Sequence, residues 1–167
     1  AQVEGYDPPL VAVLPEGERF GHAEAFVAAL KIPITEGAYD AHYRIDLDHI
    51  FMPTFASFRD ASAQMGTLLH EAAHATGAKH RLDRNFAERF KRDSLAIEEI
   101  CAELTASFVL ADLGIAHHPR ADHAAYVASW LRALKDDPRA IFTAASKAQA
   151  AADWMHAQQP QPEEIAA

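Results

Sequence analysis

The sequence predicts an α+β domain, mostly helical, with one small β-sheet. Three observations lead there. Half of the 167 residues are apolar but only 9% are aromatic, and much of the apolar content is alanine, which favours helices over a large sheet. Strand-like runs are confined to residues 42–52. The length suits one domain with its own core, and neither an internal repeat nor a domain boundary is visible.

In order, residues 1–17 are punctuated by Pro and Gly and read as a leading segment with little structure of its own. Helical spacing follows over 20–30. Two short strands are expected at 42–45 and 49–52, the second stopped by Pro53, which cannot donate to a ladder. A long helix is expected from about Ser57 to Gly77, capped by Ser57 or Asp60 and ended by Gly77 in a left-handed conformation. After the polar loop RLDRNF, a second long helix begins near Asp93 or Ser94 and stops at Gly114. A third starts at Asp122 and carries Tyr126, Trp130 and Leu134 on one stripe. Asp137-Pro138 opens a fourth, running through the alanine-rich stretch to 157. The domain is assigned to residues 1–158, with 159–167 as a polar, Pro-containing flexible tail. The missing initiator Met fits a piece excised from a longer protein.

Composition narrows the function. The net charge of −9 repels phosphate backbones, so direct nucleic-acid binding by this domain is not expected. No stretch has the roughly 20 apolar residues of a membrane span, and the N-terminus lacks the pattern of a signal peptide. The single cysteine, Cys101, excludes an internal disulfide and fits a cytoplasmic location.

The chemistry lies at His70-Glu71-Ala72-Ala73-His74, an HExxH sequence within the first long helix. Histidines four apart stand one turn from each other on one face, so both imidazoles can reach one ion. Glu71 stands beside them as the expected general base, the catalytic residue of a metal-assisted hydrolysis. Ten histidines make a chance motif easier to find, so its surroundings matter. The flanks, TLL and AAHATG, are small and apolar, so the helix should be buried, and two buried histidines with a buried Glu call for an ion. Zinc is the expected metal, with manganese as the alternative.

A third protein ligand can come from two places. His80 would complete the HExxHxxGxxH pattern HEAAHATGAKH. The other candidate lies in IEEICAELTASF, where Glu99 and Glu103 share a stripe with Ala106 and Leu110, opposite Ile97, Cys101, Leu104 and Phe108. Glu99 is the preferred ligand, with Glu103 holding a ligand histidine from behind. Glu98 faces a flank with Thr105 and Val109 and is the weaker choice. The His80 pattern should also bring a methionine turn beneath the metal, whereas the only downstream Met, Met155, lies in a helical stretch.

Other residues have plainer readings. His117, His118 and His123 suit a solvated loop before a helix. Trp130 and Trp154 fit the core, Cys101 an inert filler, and Arg81, Asp83 and Arg84 a salt-bridged loop, with transition-state stabilisation by Arg81 as the lesser option.

Together, Met52-Pro53, the HExxH helix, Thr76-Gly77, Arg81-Leu82-Asp83-Arg84, the EExxAE at 98–103 and the stretch from AAYVASW to QAAAD resemble the C-terminal domain of ArdC-type antirestriction proteins, also called the polyvalent-protein metallopeptidase domain. The likeness runs from about residue 3 to 153. It implies a zincin-like metallopeptidase fold in which a small sheet edge lies over the metal-binding helix and receives a peptide substrate, giving the strands over 43–52 a role. It also implies relatives that accompany mobile genetic elements and protect them from restriction, and that carry a preceding single-stranded-DNA-binding domain. Single-stranded DNA would be bound only through such a domain, missing here. Ala75 departs from the aromatic that many relatives have after the second histidine, which bears on the substrate pocket and not on the ligands.

The expected function is a zinc-dependent peptidase acting on a protein or peptide, with no membrane partner. Two alternatives stand beside it. One is a non-catalytic, metal-stabilised acidic module that binds a host restriction or defence protein. The other is an ImmA/IrrE-like protease that cleaves a repressor.

Overall fold

The computed structural model describes residues 15–84, 92–115, 130–131 and 134–160. Helix α1 (Glu16–Ala29) follows Pro15 and places Glu16 and Glu18 in its first turn, where the helix dipole favours carboxylates. It starts at 16 and not at 20, because Gly17 and Gly21 blur the apolar spacing. Its buried face is Ala23, Phe26 and Val27.

Three strands form one sheet in the order β1-β3-β2: β1 (Ile34–Glu36), β2 (His42–Arg44) and β3 (His49–Met52). Strand β1 was not expected from sequence. All three of its residues are exposed, so it shows no burial pattern, and it exists because β3 offers a parallel partner, Ile34 opposite Ile50 and Glu36 opposite Met52. Strand β3 pairs antiparallel with β2 on its other side, Tyr43 opposite Ile50. Its alternation buries Ile50 and Met52 against the helices. The opposite face stacks the His42 and His49 rings on Phe51, with centroids 5.2 and 4.6 Å away.

Helix α2 (Ala61–Thr76) is capped by Asp60, whose Oδ1 accepts from the Ala63 N–H at 2.8 Å. Ser57 instead ends a short 3₁₀ turn, Phe55–Ser57. Gly77 is not left-handed, contrary to expectation: its φ is −79°. The chain past α2 is instead held by backbone bonds such as Leu82 N–H to Thr76 O at 3.0 Å and Arg84 N–H to Gly77 O at 3.1 Å, and the positive φ falls on Asp83 at 47°.

Helix α3 (Arg92–Asp112) ends as expected at Gly114, with φ 67°. Ile115 N–H bonds to Leu110 O and Gly114 N–H to Ala111 O, the Schellman arrangement that satisfies the last carbonyls. The helix expected from Asp122 falls mostly outside the described residues, as do Tyr126, His117, His118, His123 and the tail from 161. Residues 130, 131 and 134–136 are helical, and Trp130 is half-buried. Helix α4 (Ala140–Ala157) opens later than Pro138, because Asp137 and Pro138 shape a turn in which Asp137 Oδ1 accepts from Arg139 N–H. Its Ala144, Ala148, Ala151 and Ala152 are buried, and their small side chains let α3 and α4 pack closely. Thr105 Oγ1 on α3 lies 3.4 Å from Ala148 O.

The core lies between the sheet, α1 and α2 on one side and α3 and α4 on the other, so α2 is the central layer. Among the described residues no helix is long and apolar enough to cross a membrane. Ile50 is fully buried, so Ile50→Ala should cost roughly 2–5 kcal/mol of stability. Urea denaturation in the presence of a chelator measures that cost apart from any metal contribution.

Candidate metal centre

The last turns of α2 are buried on all sides, from Leu69 through Thr76, including His70, Glu71 and His74. The apolar flanks that predicted this burial are packed by the sheet and by α3. Helix α3 presents Glu98, Glu99 and Glu103 to them, each about as buried, at 8% exposure. Carboxylates this deep must be paired, because solvation lost on burial has to be replaced.

Each has a partner. Glu99 lies 3.4 Å from His70 Nε2 and 3.6 Å from His74 Nε2, and the two Nε2 atoms are 3.2 Å apart. On the far side of each ring, His70 Nδ1 lies 2.9 Å from Glu103 Oε1 and His74 Nδ1 lies 3.4 Å from Glu98 Oε1. Arg84 completes the group, donating from Nε and Nη2 to the two oxygens of Glu98 at 3.1 and 2.8 Å.

The protonation pattern follows from these contacts. Burial alone would lower the His74 pKa, but Glu98 and Glu99 outweigh it and push the ring up to about 9. Burial likewise works to raise Glu99 and Glu98, yet His70 and His74 hold Glu99, and His74 and Arg84 hold Glu98, below the usual carboxylate range. The metal-free site therefore keeps a proton where two imidazoles and a carboxylate converge.

These residues fit a divalent ion. The ligand atoms of His70, His74 and Glu99 all lie within 4.8 Å of one another. The two Nε2 atoms, 3.2 Å apart, match the about 3.3 Å between neighbouring ligand atoms in tetrahedral coordination at roughly 2.0–2.1 Å, and Glu99 turns one oxygen to each of them. Four buried glutamates, with Glu71 counted, face one guanidinium and the protonated His74 ring, and a divalent ion could take the place of that proton. Glu71 is 7% exposed and makes no hydrogen bond to a described residue.

Of the two candidate third ligands, the structure brings Glu99 to the histidine pair and leaves His80 away from it. His80 has 61% of its side chain exposed and lies 3.2 Å from Asp48. Asp48 is also held by Arg81 through both oxygens, at 2.6 and 2.8 Å, and by the Tyr43 hydroxyl at 2.7 Å. Arg81 further bonds the Ala75 carbonyl and lies 5.7 Å from the centre of the half-buried Trp154 ring. It is thus a fastening between the β2–β3 turn and the end of α2. Cys101 is fully buried and burial raises its pKa to about 11, as expected of an inert filler. Glu98 is the residue sequence reasoning undervalued: it was weighed as a metal ligand, whereas its carboxylate faces the Nδ1 side of His74. The signal was there in Arg84, a basic residue between two buried helices that needs an acid.

A family model described as zincin-like metallopeptidase matches residues 21–147. The chain is 57% identical over 159 residues to the uncharacterized protein y4eC of Sinorhizobium fredii, and 41% identical over 156 residues to the DNA primase TraC of Escherichia coli. These matches cover 95% and 92% of this chain but 52% and 14% of those proteins, so the chain spans about half of one relative and a small part of the other. The crystal structure of the antirestriction protein ArdC from plasmid R388 in its metal-free form superposes with a TM-score of 0.73 at 41% identity, covering 93% of this chain and 55% of that one. The Mn(II)-bound form gives 0.67, covering 83% and 52%.

Two measurements check the site. Glu99→Ala should weaken zinc binding by more than the about 10–100-fold typical of losing an outer-sphere partner, while His80→Ala should leave it unchanged in a chelator competition. Because a cation must displace the His74 proton, apparent affinity should climb as pH rises from 6.5 toward about 9, by up to about tenfold per unit, and level off above. A flat profile over that interval would contradict the assignment.

Proposed function

Because the chain belongs to the zincin-like metallopeptidases, we propose that it hydrolyses peptide bonds at a zinc or manganese ion held by His70, His74 and Glu99, as the metallopeptidase domain of an ArdC-like antirestriction protein. The observation that carries this reading is the convergence of those three ligand atoms within 4.8 Å, next to the buried Glu71. When bound, the ion supplies Lewis acidity for the scissile carbonyl and for the attacking water. The Glu71 carboxylate accepts the proton of that water and afterwards delivers it to the leaving amine nitrogen.

The substrate is proposed to be a protein segment in extended form. Strand β3 is paired on both sides, so it cannot receive one, and the expectation that the whole 43–52 region plays this part narrows to β2, an edge strand packed on α2. The acidic balance of −9 supports a protein target over nucleic acid. The single buried thiol is compatible with a cytoplasmic setting.

The same charge favours a second reading, in which the ion only fastens the helices and the acidic surface engages a host defence protein. Glu71→Gln separates the two. The peptidase reading expects the variant to keep its metal and to lose cleavage of an unfolded protein substrate by at least about 100-fold, the scale of a lost general base. Retained cleavage would remove Glu71 from the mechanism. Full protection against restriction in cells by a cleavage-dead Glu71→Gln protein would favour the binding module.

A further inference from the structure

Helix α2 carries two of the proposed metal ligands and α3 the third, so the site exists only if the two helices keep one relative placement. The residue that bridges them at the His74 end is Arg84, from the loop between them. Its guanidinium spends every side on this joint. Nη1 donates to Thr76 Oγ1 at 2.6 Å and Nη2 to the Ala73 carbonyl at 2.7 Å, both on α2. Nε and Nη2 grip both oxygens of Glu98 on α3. The two side chains are only 7% and 10% exposed, which gives the pair fixed geometry and little competition from water. Glu98 Oε1 in turn stands 3.4 Å from His74 Nδ1.

We propose that Arg84 and Glu98 are positioning residues for the metal centre: Arg84 locks Glu98, and Glu98 accepts a hydrogen bond from the Nδ1–H of His74, so that the Nε2 lone pair is aimed at the ion. The inference rests on the metal-centre reading above and adds to it. It gives the loop arginine and the first glutamate of the EExxAE run a role that neither ligation nor proton transfer supplies. It also makes the two histidines differently supported. His70 leans on Glu103, a residue of the same helix as Glu99, whereas His74 depends on a carboxylate that is itself held by a third segment of chain. Glutamine at 98 would keep the shape and lose the charge that favours an Nδ1 donor; methionine at 84 would keep much of the bulk and release Glu98.

The test uses the whole chain and reads metal, not turnover. Zinc affinity by chelator competition and the visible bands of the Co(II)-loaded protein are compared for wild type, Glu98→Gln, Arg84→Met and the double variant, each shown to be folded by circular dichroism in chelator. Arg84→Met alone leaves a buried charge uncompensated and can fail to fold, and the double variant removes that charge and keeps the comparison open. Expected is a loss of affinity of about 10–100-fold for Glu98→Gln, altered Co(II) bands, and a double variant no weaker than the poorer single by more than about threefold, because both act through one ring. Affinity within twofold of wild type and superimposable Co(II) bands in Glu98→Gln would overturn the proposal while leaving the metal centre intact. A wild type that binds neither ion would overturn both.

Discussion

Everything in this molecule is arranged around one electrostatic problem: three glutamates of α3 are buried against the last turns of α2, where Glu71 is also buried. Charges at that depth are tolerated only when each has a counterpart, and the sequence provides them as two imidazoles, one guanidinium and space that suits a cation. The helices cannot slide past each other without breaking these pairings. The alanines of α4 back α3 closely, and the sheet and α1 cover α2, so the charged joint is the centre of the fold and not an addition to it.

The sheet is small, three strands of three or four residues, and it is tied to the helices by an ion pair. Its turn is fastened to the end of α2 by Asp48 and Arg81; the Tyr43 hydroxyl donates to the same Asp48, and burial, helped by Asp48 and opposed by Arg81, pushes that phenol up to about 12. The edge strand and the histidine helix are therefore held together by a second ion pair, away from the ligands. Two arginines of one loop, 81 and 84, thus do parallel work: one ties α2 to the sheet, the other ties α2 to α3.

Much of this was legible in the sequence where a single physical rule dominates. The HExxH spacing, the apolar flanks of α2 and the all-round apolar character of α3 pointed to the burial of His70, His74 and Glu99, which the structure brings together. Strand β3 ends where expected because Pro53 cannot donate to a ladder. Strand β1 was invisible because its three residues face solvent and its only reason to be extended is a partner elsewhere in the chain. Gly77 misled because glycine permits a left-handed turn without requiring it, and the following loop was closed by other backbone bonds. Helical phase set Glu98 on a flank as the weaker ligand candidate but could not show the loop arginine that meets it there.

One consequence concerns how such a domain travels. His70, Glu71, His74, Arg84, Glu98, Glu99 and Glu103 all lie within 34 consecutive residues of the sequence, 70–103. Among the described residues the candidate ligand group draws on α2 and α3 alone. A centre assembled so locally is suited to being joined to polypeptides of very different length, and the stretches similar to this chain make up 52% of one relative and 14% of another.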